Sequence, residues 1–323
     1  MHWTDSARID GIHKNGMKLK VACTAGVFCE EWTWFGEIFC EGRCEKNRLF
    51  VTVQVMKSIR SSMSFASIFQ SLDSVLKVLT AIEVRDLPEV QKILNICAEE
   101  GIVEELNGQY SSSVATDIEK DTAIPFMVIE GLDGSGKTSL AAEVQKRYDM
   151  RAMQTPPGAI LEFRSFFDSQ PEPIRRAFYS LGNYLAAESV LRCTEPVVMD
   201  RFWHSTAAYG IGNDIKRNAN TDLGELKLDW PGDLLQPNMV LFLFVSETER
   251  LRRHSSRLLQ TNTPEEQSLA KDQAFRENIV SVYRSIKGPK FVEIDADASK
   301  EEVQNRIFKV VEAAFPALIH RIR

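Results

Sequence analysis

The 323-residue chain predicts an α/β fold over its downstream two thirds, a parallel sheet flanked by helices on both faces. Short apolar segments alternate there with segments of helical periodicity, from about residue 124 onward. One apolar segment, 238–245, is a continuous run, which is typical of a central strand buried on both faces. A glycine-rich loop follows the first of these strands, and a helix follows the loop.

The elements follow from these patterns in order. Upstream, we expect strands at 19–28 and 48–56 and helices at 66–82 and 88–100, the last between Pro88 and Gly101. Polar and charged residues at 108–124 predict a linker. Downstream strands are predicted at 124–130, 195–200, 238–245 and 291–294. Downstream helices are predicted at 137–149, 158–168, 171–192, 204–217, 247–259, 264–287 and 299–314. The resulting division is a small α+β accessory region at 1–110, a linker at 111–123 and the main domain at 124–323.

Composition narrows the class of protein. Hydrophobic residues make up 44% and charged residues 26%, as in ordinary globular proteins. A net charge of −6 argues against a general nucleic-acid binder. No apolar run reaches the ~20 residues that span a bilayer. The cysteines fit a reducing compartment, and the irregular spacing of Cys23, Cys29, Cys40 and Cys44 does not favour zinc.

The glycine-rich loop fits the pattern G-x-x-x-x-G-K-[ST] and predicts a nucleotide-binding site. Glycines allow backbone N–H groups to turn toward phosphate oxygens, and the following helix presents its positive end. Lys137, on a loop expected to face solvent, reaches the β- and γ-phosphates, and the Thr138 hydroxyl holds Mg²⁺. The predicted ATP-binding residues are Gly131, Leu132, Asp133, Gly134, Ser135, Gly136, Lys137 and Thr138. Together with the alternating elements, the loop indicates a P-loop NTPase fold.

Two further features suit phosphate chemistry. Asp200 ends an apolar strand, where P-loop enzymes place a second Mg²⁺-organising carboxylate, and Arg201 beside it suits a phosphate. Arg250, Arg253 and Arg257 share a helical face ahead of a polar segment, as expected of a lid that closes over a transferring phosphoryl group. A solvated face pairing with nearby glutamates is the alternative.

These motifs resemble the thymidylate-kinase family of nucleoside monophosphate kinases, and more closely its mitochondrial UMP-CMP kinase branch. The resemblance covers about residues 124–315. The segments that carry it are 130–138, 156–157, 174–184, 200–206, 230–231, 245–251 and 274–283. It implies that Asp133 orients the acceptor's sugar or phosphate, that Arg201 holds the acceptor phosphate and that Tyr209 crowds the sugar's 2′ position. It also implies a mitochondrial setting, with a cytoplasmic one as the alternative, and leaves a homodimer open.

The sequence departs from the family pattern at positions that would contact the base and the phosphate of the acceptor nucleotide. The family's base-contacting arginine is replaced by Asn183, whose amide both donates and accepts, with Tyr179 as the ring that stacks on the base. Packed helix residues are the alternative for both. No arginine lies in the glycine loop, so Arg253 and Arg257 must supply the catalytic charge. Arg164 and Arg175 remain open as further acceptor-phosphate ligands.

We therefore expect an enzyme that uses ATP and Mg²⁺ to phosphorylate pyrimidine nucleoside monophosphates (CMP, UMP, dCMP, dUMP). The predicted catalytic residues are Asp133, Lys137, Arg201, Arg253 and Arg257. A thymidylate kinase is the alternative enzyme. A non-catalytic nucleotide-binding module is disfavoured because Lys137, Asp200 and the arginines are all present.

Overall fold

In the computed structural model, residues 126–295 contain a five-stranded parallel sheet. The structure describes residues 7–10, 20–23, 68–106, 109–114, 124–217, 228–255 and 272–322. The sheet strands are β5 (Phe126–Gly131), β6 (Arg151–Gln154), β7 (Val197–Asp200), β8 (Met239–Phe244) and β9 (Lys290–Asp295). Their spatial order is β6-β7-β5-β8-β9, and every pair is parallel. This architecture confirms the predicted α/β class.

Helices cover both faces of this sheet. They are α3 (Lys137–Tyr148), α4 (Gly158–Leu161), α5 (Arg164–Asp168), α6 (Glu172–Leu191), α7 (Trp203–Arg217), α8 (Glu247–Ser255), α9 (Gln273–Ser285) and α10 (Lys300–Ala314), with a 3₁₀ turn at Pro316–Arg321. One core contains the apolar residues of α6, α7 and α9. The core on the opposite side contains those of α3 and α10. The helices α3, α6, α7, α9 and α10 thus each bury an apolar side in one of the two cores.

The order of the strands positions the site. β5 lies between β7 and β8, with Ile129 opposite Asp200 and Gly131 opposite Leu243. Because all three strands run in the same direction, their carboxyl ends meet at one edge of the sheet. The glycine loop after β5 and Asp200 at the end of β7 are therefore neighbours.

Two predicted downstream elements differ from the structure. The helix expected at 158–168 is two short helices, α4 and α5, separated at Glu162–Phe163. β6 was not predicted, because Arg151–Gln154 is a mostly exposed edge strand without an apolar run. The predicted extensions of α8 to residue 259 and of α9 back to residue 264 lie outside the described residues.

Upstream, the described elements are two hairpins and two helices. β1 (Ala7–Asp10) and β2 (Lys20–Cys23) pair antiparallel within a compact unit formed by residues 1–49. In the second unit lie α1 (Leu72–Leu79), α2 (Pro88–Glu99), β3 (Val103–Leu106) and β4 (Gln109–Ser112). Gly101, with φ of +74°, follows α2 as predicted. The strand expected at 48–56 lies outside the described residues.

The predicted domain boundary differs from the one in the structure. Residues 50–323 form a single compact unit, and the buried side chains of α1 and α2 belong to the same core as α6 and α7. Gln109–Ser112, expected to be linker or its border, pairs with Val103–Leu106. The polar composition of this stretch reflects a strand exposed on alternate residues, which sequence reasoning read as a loop. Residues 115–123 of the predicted linker lie outside the described residues.

Within the described part of the chain, no helix combines the length and the apolar character needed to cross a bilayer. No cluster of three or more His, Cys, Asp or Glu side chains there is arranged to hold a metal ion. The side chains of Cys23, Cys29, Cys40 and Cys44, weighed above for zinc, fall outside the described residues.

Candidate active site

The glycine loop between β5 and α3 has the backbone that a phosphate cradle requires. Gly131, Gly134 and Gly136 have φ of +146°, +90° and +97°, where side chains are strained. A Cβ on Gly131 would lie 2.7 Å from the Leu243 carbonyl oxygen. Gly136 precedes α3 without a side-chain cap, so the first N–H groups of the helix stay available to an anion.

Lys137 is buried, contrary to the expected solvent-facing position; it is 6% exposed. Its Nζ donates to the Leu132 carbonyl oxygen at 2.8 Å and lies 4.0 Å from Asp133 Oδ1. Burial and the nearby Arg201 lower the pKa of Lys137 to about 8, although neighbouring carboxylates oppose the shift. The ammonium is thus held inside the loop, where an incoming phosphate would satisfy its charge.

Thr138 and Asp200 meet as the sequence predicted. Thr138 Oγ1 donates to Asp200 Oδ2 at 2.5 Å. Asp200 Oδ1 is buried and has no hydrogen-bond partner within the part of the chain that the structure describes. A hydroxyl and a carboxylate, one oxygen of which is buried and unsatisfied, are hard oxygen donors, which fit Mg²⁺.

Asp133 and Arg201 form an ion pair across the mouth of the loop. Arg201 Nη2 donates to Asp133 Oδ1, and the Tyr209 hydroxyl donates to Asp133 Oδ2 at 3.3 Å. Burial alone would raise the pKa of Asp133, but Arg201 and Lys137 bring it down to about 2. Arg201 adopts φ of +67°, which turns it away from the strand, and lies over the Tyr209 ring at 5.6 Å. Three predicted site residues therefore contact one another.

Glu130 is a residue of the site that sequence reasoning did not single out. It is fully buried and accepts from the backbone N–H groups of Phe202 and Ser205 at 2.8 and 3.2 Å. Its other oxygen accepts from the Ser205 hydroxyl at 2.5 Å, and that hydroxyl accepts from Arg201 Nη1 at 2.9 Å. Burial raises the pKa of Glu130. Its sequence signal was a carboxylate inside the apolar run of β5.

These residues open onto one cleft of about 420 Å³. Its walls include Lys137 and Thr138 of the glycine loop together with Asp200 and Arg201. Predicted acceptor residues line the remaining wall, namely Arg164, Tyr179 and Tyr209. The structure adds lining residues that the prediction missed or left open, namely Glu172, Arg175, Arg176, Ser205 and Thr206. Their sequence signal was the charged start of the segment 172–176 and the face that Ser205, Thr206 and Tyr209 share on α7.

The arginines of the far wall are held in place by carboxylates. Arg164 contacts Asp168 at 3.4 Å and the Tyr179 hydroxyl at 3.2 Å. Arg175 donates to Glu172 at 2.6 Å. Arg176 is 8% exposed and donates to Asp214 at 2.8 Å and to the Gly210 carbonyl oxygen at 2.9 Å. The wall thus holds three guanidinium groups in fixed positions, each paired with a carboxylate. The two more exposed of these arginines, Arg164 and Arg175, are the ones that the sequence analysis left open as ligands of the acceptor phosphate.

Asn183 lies behind the cleft wall and not on it. Its side chain is fully buried and is not among the described residues that line the cleft. Asn183 Nδ2 donates to Thr206 Oγ1 at 3.0 Å, and Thr206 does line the cleft. Asn183 thus reaches the cleft only through the Thr206 hydroxyl in this conformation, and its contact with a base stays a prediction.

Two arginines of α8, Arg250 and Arg253, contact backbone carbonyl oxygens of the glycine loop. Arg253 donates to the Ser135 carbonyl oxygen at 3.1 Å and to the Ala296 carbonyl oxygen at 2.5 Å. Arg250 is 1% exposed and forms a two-pronged pair with Glu247 at 2.8 Å. Neither is among the described residues that line the cleft, so Arg253 does not have the lid position expected of it here. Arg257 lies outside the described residues.

Comparison with known proteins agrees with this geometry. The sequence profile of the family described as thymidylate kinase matches residues 129–307, which is more than half of the chain. The chain belongs to the thymidylate kinase family. The matched region begins within β5 and ends within α10, so the family match spans the glycine loop, Asp200 and the wall formed by α6 and α7.

Two relatives within the family show the extent of the similarity. Human mitochondrial UMP-CMP kinase 2 is 35% identical over 193 residues, which are 58% of this chain and 43% of the human protein. The chain thus matches less than half of that relative's length. The thymidylate kinase of Akkermansia muciniphila is 30% identical over 211 residues, which are 60% of this chain and 94% of the bacterial protein. Both confirm the resemblance inferred from the motifs.

Two solved structures align with part of this chain. Thymidylate kinase from Candida albicans aligns with a TM-score of 0.44 at 17% identity, over 59% of this chain and 92% of that one. Deoxyadenosine kinase from M. mycoides aligns with a TM-score of 0.43 at 16% identity, over 58% of this chain and 98% of that one.

Proposed function

We propose that this protein transfers the γ-phosphoryl group of ATP to pyrimidine nucleoside monophosphates. One observation carries the proposal. A single cleft brings together Lys137 and Thr138 of a phosphate loop, Asp200 bonded to Thr138, and the Asp133–Arg201 ion pair, and its remaining wall includes Arg164, Tyr179 and Tyr209. Such a cleft holds a donor and an acceptor phosphate end to end.

The chemistry follows from positions and charges. An oxygen of the acceptor phosphate attacks the γ-phosphorus, the bond to the β–γ bridging oxygen breaks, and ADP leaves with the electron pair. Lys137 neutralises charge on the transferring group, and Arg201 holds the acceptor phosphate. Thr138 and Asp200 would hold Mg²⁺, which supplies further charge neutralisation when bound.

Residues of the far wall support a pyrimidine acceptor. Tyr179 lines the cleft and is oriented by its hydroxyl's 2.6 Å bond to Asp168, so its ring is fixed for stacking. The Thr206 hydroxyl, held by Asn183, offers a hydrogen-bonding group to a base edge. Asp133 and Tyr209 would contact the sugar, and crowding by Tyr209 at the 2′ position favours dCMP and dUMP as acceptors beside CMP and UMP.

The names of the relatives agree with this proposal at two levels. Human UMP-CMP kinase 2 is named for pyrimidine acceptors and for mitochondria, and we propose both for this chain. The 30% identity to a bacterial thymidylate kinase favours dTMP as the alternative acceptor.

A coupled assay of ADP formation across CMP, UMP, dCMP, dUMP and dTMP, with AMP as a purine control, tests the proposal. We expect turnover on the cytosine and uracil nucleotides with a kcat/KM at least tenfold above that for dTMP. A preference for dTMP would establish the alternative. No turnover on any nucleotide, despite ATP binding, would favour a non-catalytic module.

A further inference from the structure

Asp233, in the segment between α7 and β8, joins two elements that are far apart in the chain. Its Oδ2 accepts from the backbone N–H of Leu72 at 2.7 Å, and its Oδ1 accepts from the Tyr184 hydroxyl at 2.6 Å. Asp233 is 9% exposed, Tyr184 4% and Leu72 0%. A buried carboxylate therefore connects the start of α1 to α6.

The two groups that donate to the Asp233 carboxylate, the Leu72 N–H and the Tyr184 hydroxyl, both suit an anionic acceptor. Leu72 is the first residue of α1, so its N–H has no partner within the helix, and the helix N-terminus favours an anion. Burial and the neighbouring Asp233 raise the pKa of Tyr184, so its hydroxyl keeps its proton and donates. Each carboxylate oxygen has a donor, as a buried charge requires.

Apolar packing also connects the upstream helices α1 and α2 to α6 and α4. α1 packs on α6, and α2 contacts α4. Arg192, directly after α6, donates to the side chain and to the backbone carbonyl of Glu100 at 2.6 Å. At Gly182, a Cβ would lie 3.3 Å from Ile160 and 3.5 Å from Pro156, so α6 and the α4 segment fit closely.

The two elements that α1 and α2 support form the acceptor side of the cleft. Tyr179 of α6 and Pro156 and Leu161 at α4 line it. Helix α3, which follows the glycine loop, belongs to the opposite core with α10, and that core contains none of the described residues 68–114. Leu132 of the loop belongs to the first core. The main packing of α1 and α2 on the sheet domain is against α6 and α4, which form the acceptor half of the site.

We propose that residues 68–114 are a structural part of the acceptor half of the cleft, and that Asp233 is a positioning residue that couples them to α6. This inference rests on the proposed function for the identity of the acceptor half. Loosening the bridge should move α6, and with it Tyr179 and Arg175, while the phosphate loop keeps its geometry. The acceptor is then bound less well, and ATP is bound as before.

Asp233→Asn tests this in the full chain, because the amide retains one acceptor oxygen and turns an N–H₂ group toward the other donor. We expect the KM for CMP to rise about five- to tenfold and the KM for ATP to stay within about twofold. Backbone amides of Glu172–Leu191 should exchange hydrogen faster in the variant, and those of Lys137–Tyr148 at the original rate. Tyr184→Phe removes only the hydrogen bond from the Tyr184 hydroxyl to Asp233, so it should also raise the KM for CMP. This variant tests the inference if Asp233→Asn does not fold.

Val303→Ala, in the opposite core, is the matched control, since it lowers Tm without touching the bridge. It should leave the KM for CMP within about twofold. The inference is overturned if a bridge variant raises the KM for CMP and the KM for ATP equally. It is also overturned if both bridge variants leave the KM for CMP and the hydrogen exchange of α6 unchanged. If the wild-type protein phosphorylates no pyrimidine nucleotide, the proposed function fails, and the exchange comparison alone decides the role of Asp233.

Discussion

Burial of Lys137 sets the pH range over which its ammonium group stays protonated. Its ammonium lies inside the loop with the Leu132 carbonyl oxygen as its hydrogen-bond acceptor, and its pKa is lowered to about 8. A protonated lysine is needed to neutralise phosphate charge, so the free enzyme should lose affinity for ATP as this proton leaves.

We therefore expect kcat/KM for ATP, at saturating CMP, to fall above pH ~8, by about tenfold per pH unit. Below that pH the lysine is charged and the value should level off. Lys137→Arg is the control, because a guanidinium stays protonated throughout this range. Its rate should be lower but free of the alkaline decline. Persistence of the same decline in the arginine variant would assign it to another group.

Thr206 is the residue through which Asn183 can affect the base. Asn183 Nδ2 donates to Thr206 Oγ1, which leaves the threonine O–H as a donor toward the cleft. Cytosine presents an acceptor at N3, whereas uracil and thymine present an N–H there. This arrangement favours a cytosine edge.

Thr206→Val should accordingly lower kcat/KM for CMP by about tenfold, the equivalent of ~1–1.5 kcal/mol, and lower it less for UMP. The volume of the side chain is preserved, so packing changes little. Thr206→Ser keeps the hydroxyl and should keep the preference. An equal loss on CMP and UMP would mean that Thr206 does not distinguish the bases.

At the scale of elements, α8 joins the glycine loop to the loop after β9. Arg253 bonds Ser135 and Ala296, while its Nε bonds Glu249 at 2.6 Å. Arg252, one residue earlier, is exposed and bonds the same carboxylate. Arg253 is partly buried and bonds the glycine loop, whereas the Arg252 side chain is 69% exposed. Comparing variants of the two arginines therefore separates support of the donor loop from the general charge of the helix.

Arg253→Ala should raise the KM for ATP about tenfold and leave the KM for CMP within about twofold, since the loop loses an external support. Arg252→Ala, the matched control on the same helix, should change neither value by more than about twofold. Initial-rate kinetics with each substrate varied in turn gives both values. A fall in kcat with an unchanged KM for ATP would instead support the lid role inferred from the sequence.

At the scale of the whole molecule, the upstream helices complete a core. Buried residues of α1 and α2 share one apolar cluster with α6 and α7, and Asp233 and Arg192 add polar connections. All the chemical motifs lie beyond residue 124, so the sequence predicts that residues 115–323 alone retain kinase activity. The packing leads us to expect that this segment is less stable on its own, because the face of α6 that α1 covers would be exposed to water.

A chain of residues 115–323 should therefore unfold at a Tm roughly 10 °C or more below that of residues 50–323, and should tend to aggregate. Differential scanning calorimetry of the two, with size-exclusion chromatography, measures this. Residues 50–323 correspond to a complete compact unit and should match the full chain in Tm within about 3 °C. Equal stability and activity in the shorter chain would show that α1 and α2 are dispensable.

The sequence by itself determined the features that are local. The glycine loop, Lys137, Thr138 and the strand–loop–helix order follow from neighbouring residues, because phosphate cradles are built from consecutive backbone groups. The α/β class followed from apolar periodicity, since buried parallel strands are continuous runs. Asp200 was located because the end of an apolar strand can be recognised in the chain.

The tertiary structure alone decided what depends on distant pairings. Asn183 and Thr206 contact each other across two helices, and no spacing in the chain reveals which of them reaches the cleft. Lys137 looked exposed as a loop residue, but the turn of the backbone buries it. The bond between Leu72 and Asp233 spans more than 150 residues of chain, and only the packing of α1 against α6 brings those atoms together. A polar residue in a sequence does not show whether its partner is water or another part of the fold.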